Sequence, residues 1–190
     1  KGILERFAAI ERFLEREPAW VGRLCFVQIA APSRSSIDEY QSLDARVRAA
    51  ARRINDRFGS PACLPIVLKI EHHDAARVYT YYRAADFCFV SSLHDGMNLV
   101  AKEFVASRDD ERGVLVLSQF AGAARELPEA LIVNPYDTEQ CASAIGTALQ
   151  MTPEEQRARM RSMRGLLQEF NVYRWAGRML LDAARVRNRR

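Results

Sequence analysis

Asp95 and Glu103 stand eight residues apart and bracket the stretch of this chain with the most chemical content. Between them run Gly96, Met97, Asn98, Leu99, Val100, Ala101 and Lys102. The apolar run Phe87 to Val90, just upstream, reads as a buried strand. Asp95-Gly96 is a turn pair, and a helix begins soon after it. A loop that leaves the carboxyl end of a strand and opens a helix offers free backbone N–H groups at the positive end of the helix dipole. That arrangement suits a diphosphate. Carboxylates accept hydrogen bonds from hydroxyls, so Asp95 and Glu103 are suited to opposite ends of a sugar nucleotide.

The surrounding elements must hold that loop. Ile3, Phe7, Ile10 and Leu14 give a helical stripe. Leu24 to Ala30 reads as a short strand, stopped by Ala31-Pro32-Ser33. Ser36 and Glu39 have capping-box spacing, ahead of a helical face running from Ile37 to Ile54. Further strands are expected at Leu64–Ile70, Asp86–Ser91, Val114–Ser118 and Ala130–Asn134. Helices are expected at Asp74–Arg83, after Gly96, from Asp137 to Leu149 and from Thr152-Pro153, with a break near Asn171; Ala121 to Leu127 reads as a brief turn or helix. Apolar strands alternating with helices predict an α/β fold, a Rossmann-like parallel sheet covered on both faces. Ligands of such folds bind beyond the carboxyl ends of the strands. Ser33-Arg34, His72-His73-Asp74 and His94 to Asn98 all fall there.

Bulk composition narrows the class. The chain has 190 residues, enough for one domain with a real core, and is 48% hydrophobic and 27% charged, as soluble globular proteins are. No apolar run approaches the ~20 residues of a membrane span, and Lys1 to Glu17 reads as an amphipathic helix, not a secretory signal. The net charge of +4 is spread among interleaved acids and bases. Only the tail Arg185 to Arg190 is densely basic. No nucleic-acid partner and no membrane partner is therefore expected, while a mild excess of arginine suits phosphorylated small molecules. Cys25, Cys63, Cys88 and Cys141 lack metal-type spacing. Cys25 and Cys88 fall in expected buried strands, as free thiols do in a reducing cytoplasm. His72-His73 has no third ligand at useful spacing, so no metal is expected. Met160 and Met163 read as core.

The stretch Asp95-Gly96-Met97-Asn98-Leu99-Val100-Ala101-Lys102-Glu103-Phe104 resembles the most specific motif of the trehalose-6-phosphate synthase family. The likeness extends through Lys1-Gly2, Glu5-Arg6-Phe7, Gln28-Ile29-Ala30, Pro32-Ser33-Arg34, Glu39-Tyr40-Gln41, Arg53-Ile54-Asn55, Ser118 to Ala123 and Val133 to Asp137. These are retaining glucosyltransferases of the two-domain GT-B fold, which move glucose from UDP-glucose to glucose 6-phosphate and need no metal cofactor. The resemblance implies that residues 1–190 are the C-terminal, donor-binding domain of a longer protein, whose missing N-terminal domain is its first partner; a homo-oligomer is compatible.

The resemblance also assigns roles. Lys1 and Asp95 would be the catalytic pair, with Lys1 at the donor diphosphate and Asp95 at the glucose hydroxyls. Gly96, Met97 and Asn98, continued by Leu99 and Val100, would line the donor, and Glu103 would hold the ribose. His73 would meet the base through its backbone, beside Val78. Arg34 would reach the acceptor phosphate. His73 departs from the aromatic usual in the family, and His94 from a frequent arginine. A glucosylglycerol-phosphate synthase-like transferase or a non-catalytic sugar-nucleotide-binding paralogue fits the same residues.

Overall fold

Parallel strands and helices alternate along the chain in this computed structural model. It describes residues 1–31 and 38–187. Helix α1 (Ile3–Arg16) leads into β1 (Phe26–Ala30), α2 (Asp38–Phe58), β2 (Ile66–Ile70), α3 (Ala75–Ala84) and β3 (Phe87–Val90). Then come α4 (Leu99–Ser107), β4 (Val114–Ser118), β5 (Leu131–Val133), α5 (Thr138–Gln150), α6 (Pro153–Glu169) and α7 (Val172–Arg187). Local chemistry sets several of these starts: Asp74, Asp137 and Thr152 cap α3, α5 and α6 by accepting from Arg77 N, Gln140 N and Glu155 N. Ser36 and Arg34 lie outside the described residues.

All described strand pairs are parallel, in two ladders rather than one. β1 pairs with β2, Phe26 opposite Ile66, and β3–β4–β5 form the second ladder, Phe87 opposite Val114. The expected parallel-strand α/β arrangement is present, its hydrogen-bonded pairs falling in two ladders that side chains join. Phe26 packs on Phe87 with ring centroids 6.1 Å apart, and Arg6 of α1 reaches both Gln28 and Ser91.

Strand alternation puts an apolar layer on each face. Val114 and Val116 of β4 join Phe7, Ile10, Phe13 and Ile145 in one core. Leu115 and Leu117 join Phe104, Val105, Leu127 and Met160 in the other. Met160 and Met163 are buried, as expected. Phe104 is completely enclosed; truncating such a ring to alanine costs about 3–5 kcal/mol. It anchors α4, and so fixes where that helix begins. Cys25 is corrected: it precedes β1 and is exposed. Cys88 does lie in β3, where burial pushes its thiol up to about 12 against the opposing pull of Arg6.

Candidate functional site

The loop between β3 and α4 is organised around one carboxylate. Asp95 Oδ1 accepts from Asn98 N at 3.0 Å and Met97 N at 3.3 Å. Its Oδ2 accepts from Asn98 Nδ2 at 3.2 Å and from Lys1 Nζ at 3.2 Å. Burial alone would raise the carboxyl of Asp95, but the Met97 amide, the Lys1 ammonium and the Asn98 side chain outweigh it and hold it below the usual range. It is an anion with donors converging on it.

Asn98 does double duty. It sits at φ 70°, a left-handed conformation that asparagine tolerates better than most residues, and caps α4 by accepting from Ala101 N at 3.0 Å. Its amide also donates to Ser92 Oγ at 3.2 Å. The N–H groups of Leu99 and Val100 have no acceptor within the helix, as first-turn amides do not, and Met97, Leu99 and Val100 are exposed. The site therefore offers backbone donors, an ammonium and a carboxylate on an open rim.

A second segment, expected as a brief turn or helix and found as a short 3-10 helix over Gly122–Arg125, clamps this loop. Asp95 N donates to Phe120 O at 3.2 Å, Gly122 N to Asp95 O at 2.8 Å and Ala123 N to Met97 O at 2.8 Å. A Cβ on Gly122 would stand 2.1 Å from Gly96 O. Nothing but glycine lets those backbones approach so closely.

The other expected residues fall as follows. Glu103 is on α4, half-buried, accepting from the Tyr82 hydroxyl at 3.5 Å. Val78 is half-buried in the first turn of α3. The His73 side chain is only 1% exposed, stacked edge-on to Tyr81 at 5.7 Å, and both ring nitrogens lack a hydrogen bond. Nε2 lies 3.4 Å from Glu71 Oε1, an ion pair only when the ring is protonated. With its side chain buried, His73 does not offer its imidazole to solvent. Arg34 lies outside the described residues. Among the described residues no cluster of three His, Cys, Asp or Glu side chains could hold a metal ion, and no helix is long and apolar enough to cross a membrane.

Comparison with known proteins decides the family. The sequence model for glycosyltransferase family 20 matches residues 1–185. The chain belongs to glycosyltransferase family 20. The trehalose-6-phosphate synthase of Klebsiella pneumoniae is 44% identical over 183 residues, 96% of this chain and 39% of that protein. An alpha,alpha-trehalose-phosphate synthase (UDP-forming) from Burkholderia xenovorans, solved in complex with glucose-6-phosphate, superposes with a TM-score of 0.93 at 43% identity, covering 96% of this chain and 40% of that one. An E. coli family member bound with UDP-2-fluoro glucose gives 0.93 at 40% identity, covering 96% and 41%. The family 20 chain thus spans about two fifths of the length of these relatives. Its Rossmann-like fold, one half of the GT-B architecture, is the fold they share over this region.

Proposed function

We propose that residues 1–190 form the donor-holding domain of a retaining glucosyltransferase that takes glucose from UDP-glucose to glucose 6-phosphate and gives trehalose 6-phosphate. The observation that carries this reading is the convergence of Lys1, Asp95 and the start of α4 on one exposed rim. The relatives support the ligand classes, since one is UDP-forming and bound to glucose-6-phosphate and another holds a UDP-glucose analogue.

Each residue then has a physical task. Lys1 and the amides of Leu99 and Val100 take charge that develops on the departing diphosphate. Asp95, held ionised, accepts hydrogen bonds from glucose hydroxyls, and Glu103 accepts from those of the ribose. The exposed backbone of Gly96, Met97 and Asn98 lines the donor, and the backbone of His73, beside Val78, meets the base. Arg34 serves the acceptor phosphate. Most of the rate comes from holding the donor in one reactive geometry. Retention without a carboxylate nucleophile means front-face transfer, in which the leaving diphosphate helps deprotonate the acceptor. Most of the acceptor-binding groups and the rest of the catalytic machinery belong to the N-terminal domain.

Titration calorimetry tests the donor role. The chain is expected to bind UDP, and Glu103→Ala is expected to weaken it about tenfold, the loss of one hydrogen bond to a charged group. No measurable UDP binding by the wild-type chain would overturn the reading. Trehalose 6-phosphate formation from UDP-glucose and glucose 6-phosphate is expected only when the N-terminal domain is supplied.

A further inference from the structure

Arg6 has no task in the site as described, and its surroundings are unusual for a guanidinium. Its Nε donates to Ser91 Oγ at 3.0 Å and its Nη1 to Gln28 Oε1 at 2.6 Å. The rings of Phe26 and Phe89 lie 6.0 and 5.8 Å from its central carbon. Among the described residues it forms no ion pair with a carboxylate. Burial pulls its pKa down to about 10, with Cys88 and Glu5 opposing, so the group is still a cation at neutral pH. Arg6 is half-buried; withdrawing a cation from water without a counter-charge is costly, and a fixed fork of donors is what the position gains from it.

Ser91 shows what that fork controls. A hydroxyl has one proton to give. Because Arg6 Nε donates to Ser91 Oγ, the hydroxyl's own proton is left for Gly2 O, which it reaches at 2.6 Å. Ser91 is fully buried, so bulk water does not compete. Gly2 sits at φ 67°, and a Cβ there would stand 1.9 Å from Ser91 O. Gly2, whose carbonyl also accepts from Arg6 N at 3.2 Å, is therefore pressed onto the end of β3 and tied there, next to Lys1. From that anchor, Lys1 Nζ reaches Asp95 Oδ2 at 3.2 Å.

We propose that Arg6 is a positioning residue of the donor site: by orienting the Ser91 hydroxyl toward Gly2 O, it fixes the Gly2 peptide and aims the Lys1 ammonium at the Asp95 loop. The ligand consequence, a diphosphate held by Lys1, rests on the donor reading above. The geometric consequence does not. Gln28, the second acceptor, lies on β1, so the same guanidinium also ties the two strand ladders, which no backbone pairing joins among the described residues.

Two measurements test the relay. In the ligand-free protein, nuclear Overhauser contacts between the Lys1 side chain and the Asp95–Asn98 loop are expected in wild type. They are expected to vanish in Ser91→Ala, which cuts the relay without removing a charge, and in Arg6→Gln, while the methyl spectrum of the core stays folded. Contacts that persist in folded Ser91→Ala overturn the proposal whether or not the protein binds UDP. Calorimetry then reads the ligand side. Ser91→Ala and Arg6→Gln are each expected to weaken UDP about tenfold, as losing one charge-assisted contact does, and to leave uridine, which lacks the diphosphate, unchanged. Arg6→Lys keeps the charge but not the fork and should recover little. In Lys1→Met, adding Ser91→Ala should cause no further loss; losses that multiply, or uridine weakening in parallel with UDP, would overturn the relay. Failure of wild type to bind UDP, with the Lys1 contacts present, would remove the donor reading alone.

Discussion

Met97 N, Asn98 N, Asn98 Nδ2 and Lys1 Nζ all donate to the Asp95 carboxylate, and the balance of burial against these donors depresses its pKa. Linkage gives the sign. A carboxyl with a native pKa below its unfolded value adds stability above the unfolded value, near pH ~3.9, and loses it as pH falls through the native value. Asp95→Asn keeps the shape but not the charge. It is expected to melt below wild type at pH 7, with the gap closing as pH drops from 5 toward 3; melts followed by circular dichroism check this, and a constant gap would contradict it. At this scale, much was legible. Asp-Gly spells a turn ahead of a helix, and the helix is found there, with Asn98 at its cap instead of inside its first turn. Arg6 was not legible as a half-buried group at a seam, because one arginine on a helical stripe looks the same whether it faces solvent or a seam. Cys25 misled in the other direction: it adjoins an apolar run yet lies just outside the strand and in solvent.

At the scale of elements, the placement of α4 depends on a neighbour distant in sequence. The turn at Gly122–Arg125 after β4 donates from Gly122 and Ala123 to Asp95 O and Met97 O, so the loop is held by backbone as well as by its own side chains. Gly122→Ala drives a Cβ against Gly96 O, a backbone atom that no rotamer change can move. That variant is expected to keep its sheet and helix content by circular dichroism while losing UDP affinity at least tenfold, about the worth of the contacts displaced. Unchanged affinity would show that the clamp does not set the loop. Strand and helix order was readable because apolar runs and capping residues are local signals. The division into two ladders was not, since a run such as Phe26–Ala30 says that a strand is buried and nothing about which strand lies beside it. The clamp escaped for the same reason: Ala121 to Leu127 carries turn propensity, but a tertiary backbone contact leaves no periodicity.

Across the whole molecule, the two cores end before the last helix does. None of the residues of α7 is buried, and Tyr173, Trp175, Leu180 and Leu181 stand well exposed. Its described ties are local: Arg174 pairs with Glu169, and Arg174 and Arg178 lie over the Phe170 ring at 4.3 and 5.3 Å. By contrast α6 is keyed into the second core by Met160 and Met163 and holds the end of α4 through Arg164, which donates to Val105 O and Ala106 O. The sequence marks the break between these helices at Asn171, but an apolar stripe reads alike on a helix with a partner and one without. Stability should follow the contacts and not the stripe. Truncation after Asn171 removes almost no buried apolar area, and changes to exposed groups of this kind usually stay within about 0.5 kcal/mol. The truncated chain is therefore expected to unfold in urea at the same midpoint as the full chain, within that margin, and to bind UDP as tightly. Met160→Ala, by contrast, opens a cavity in the second core and is expected to cost about 2–5 kcal/mol. A truncation as damaging as Met160→Ala would mean that α7 is part of the folded domain's own core.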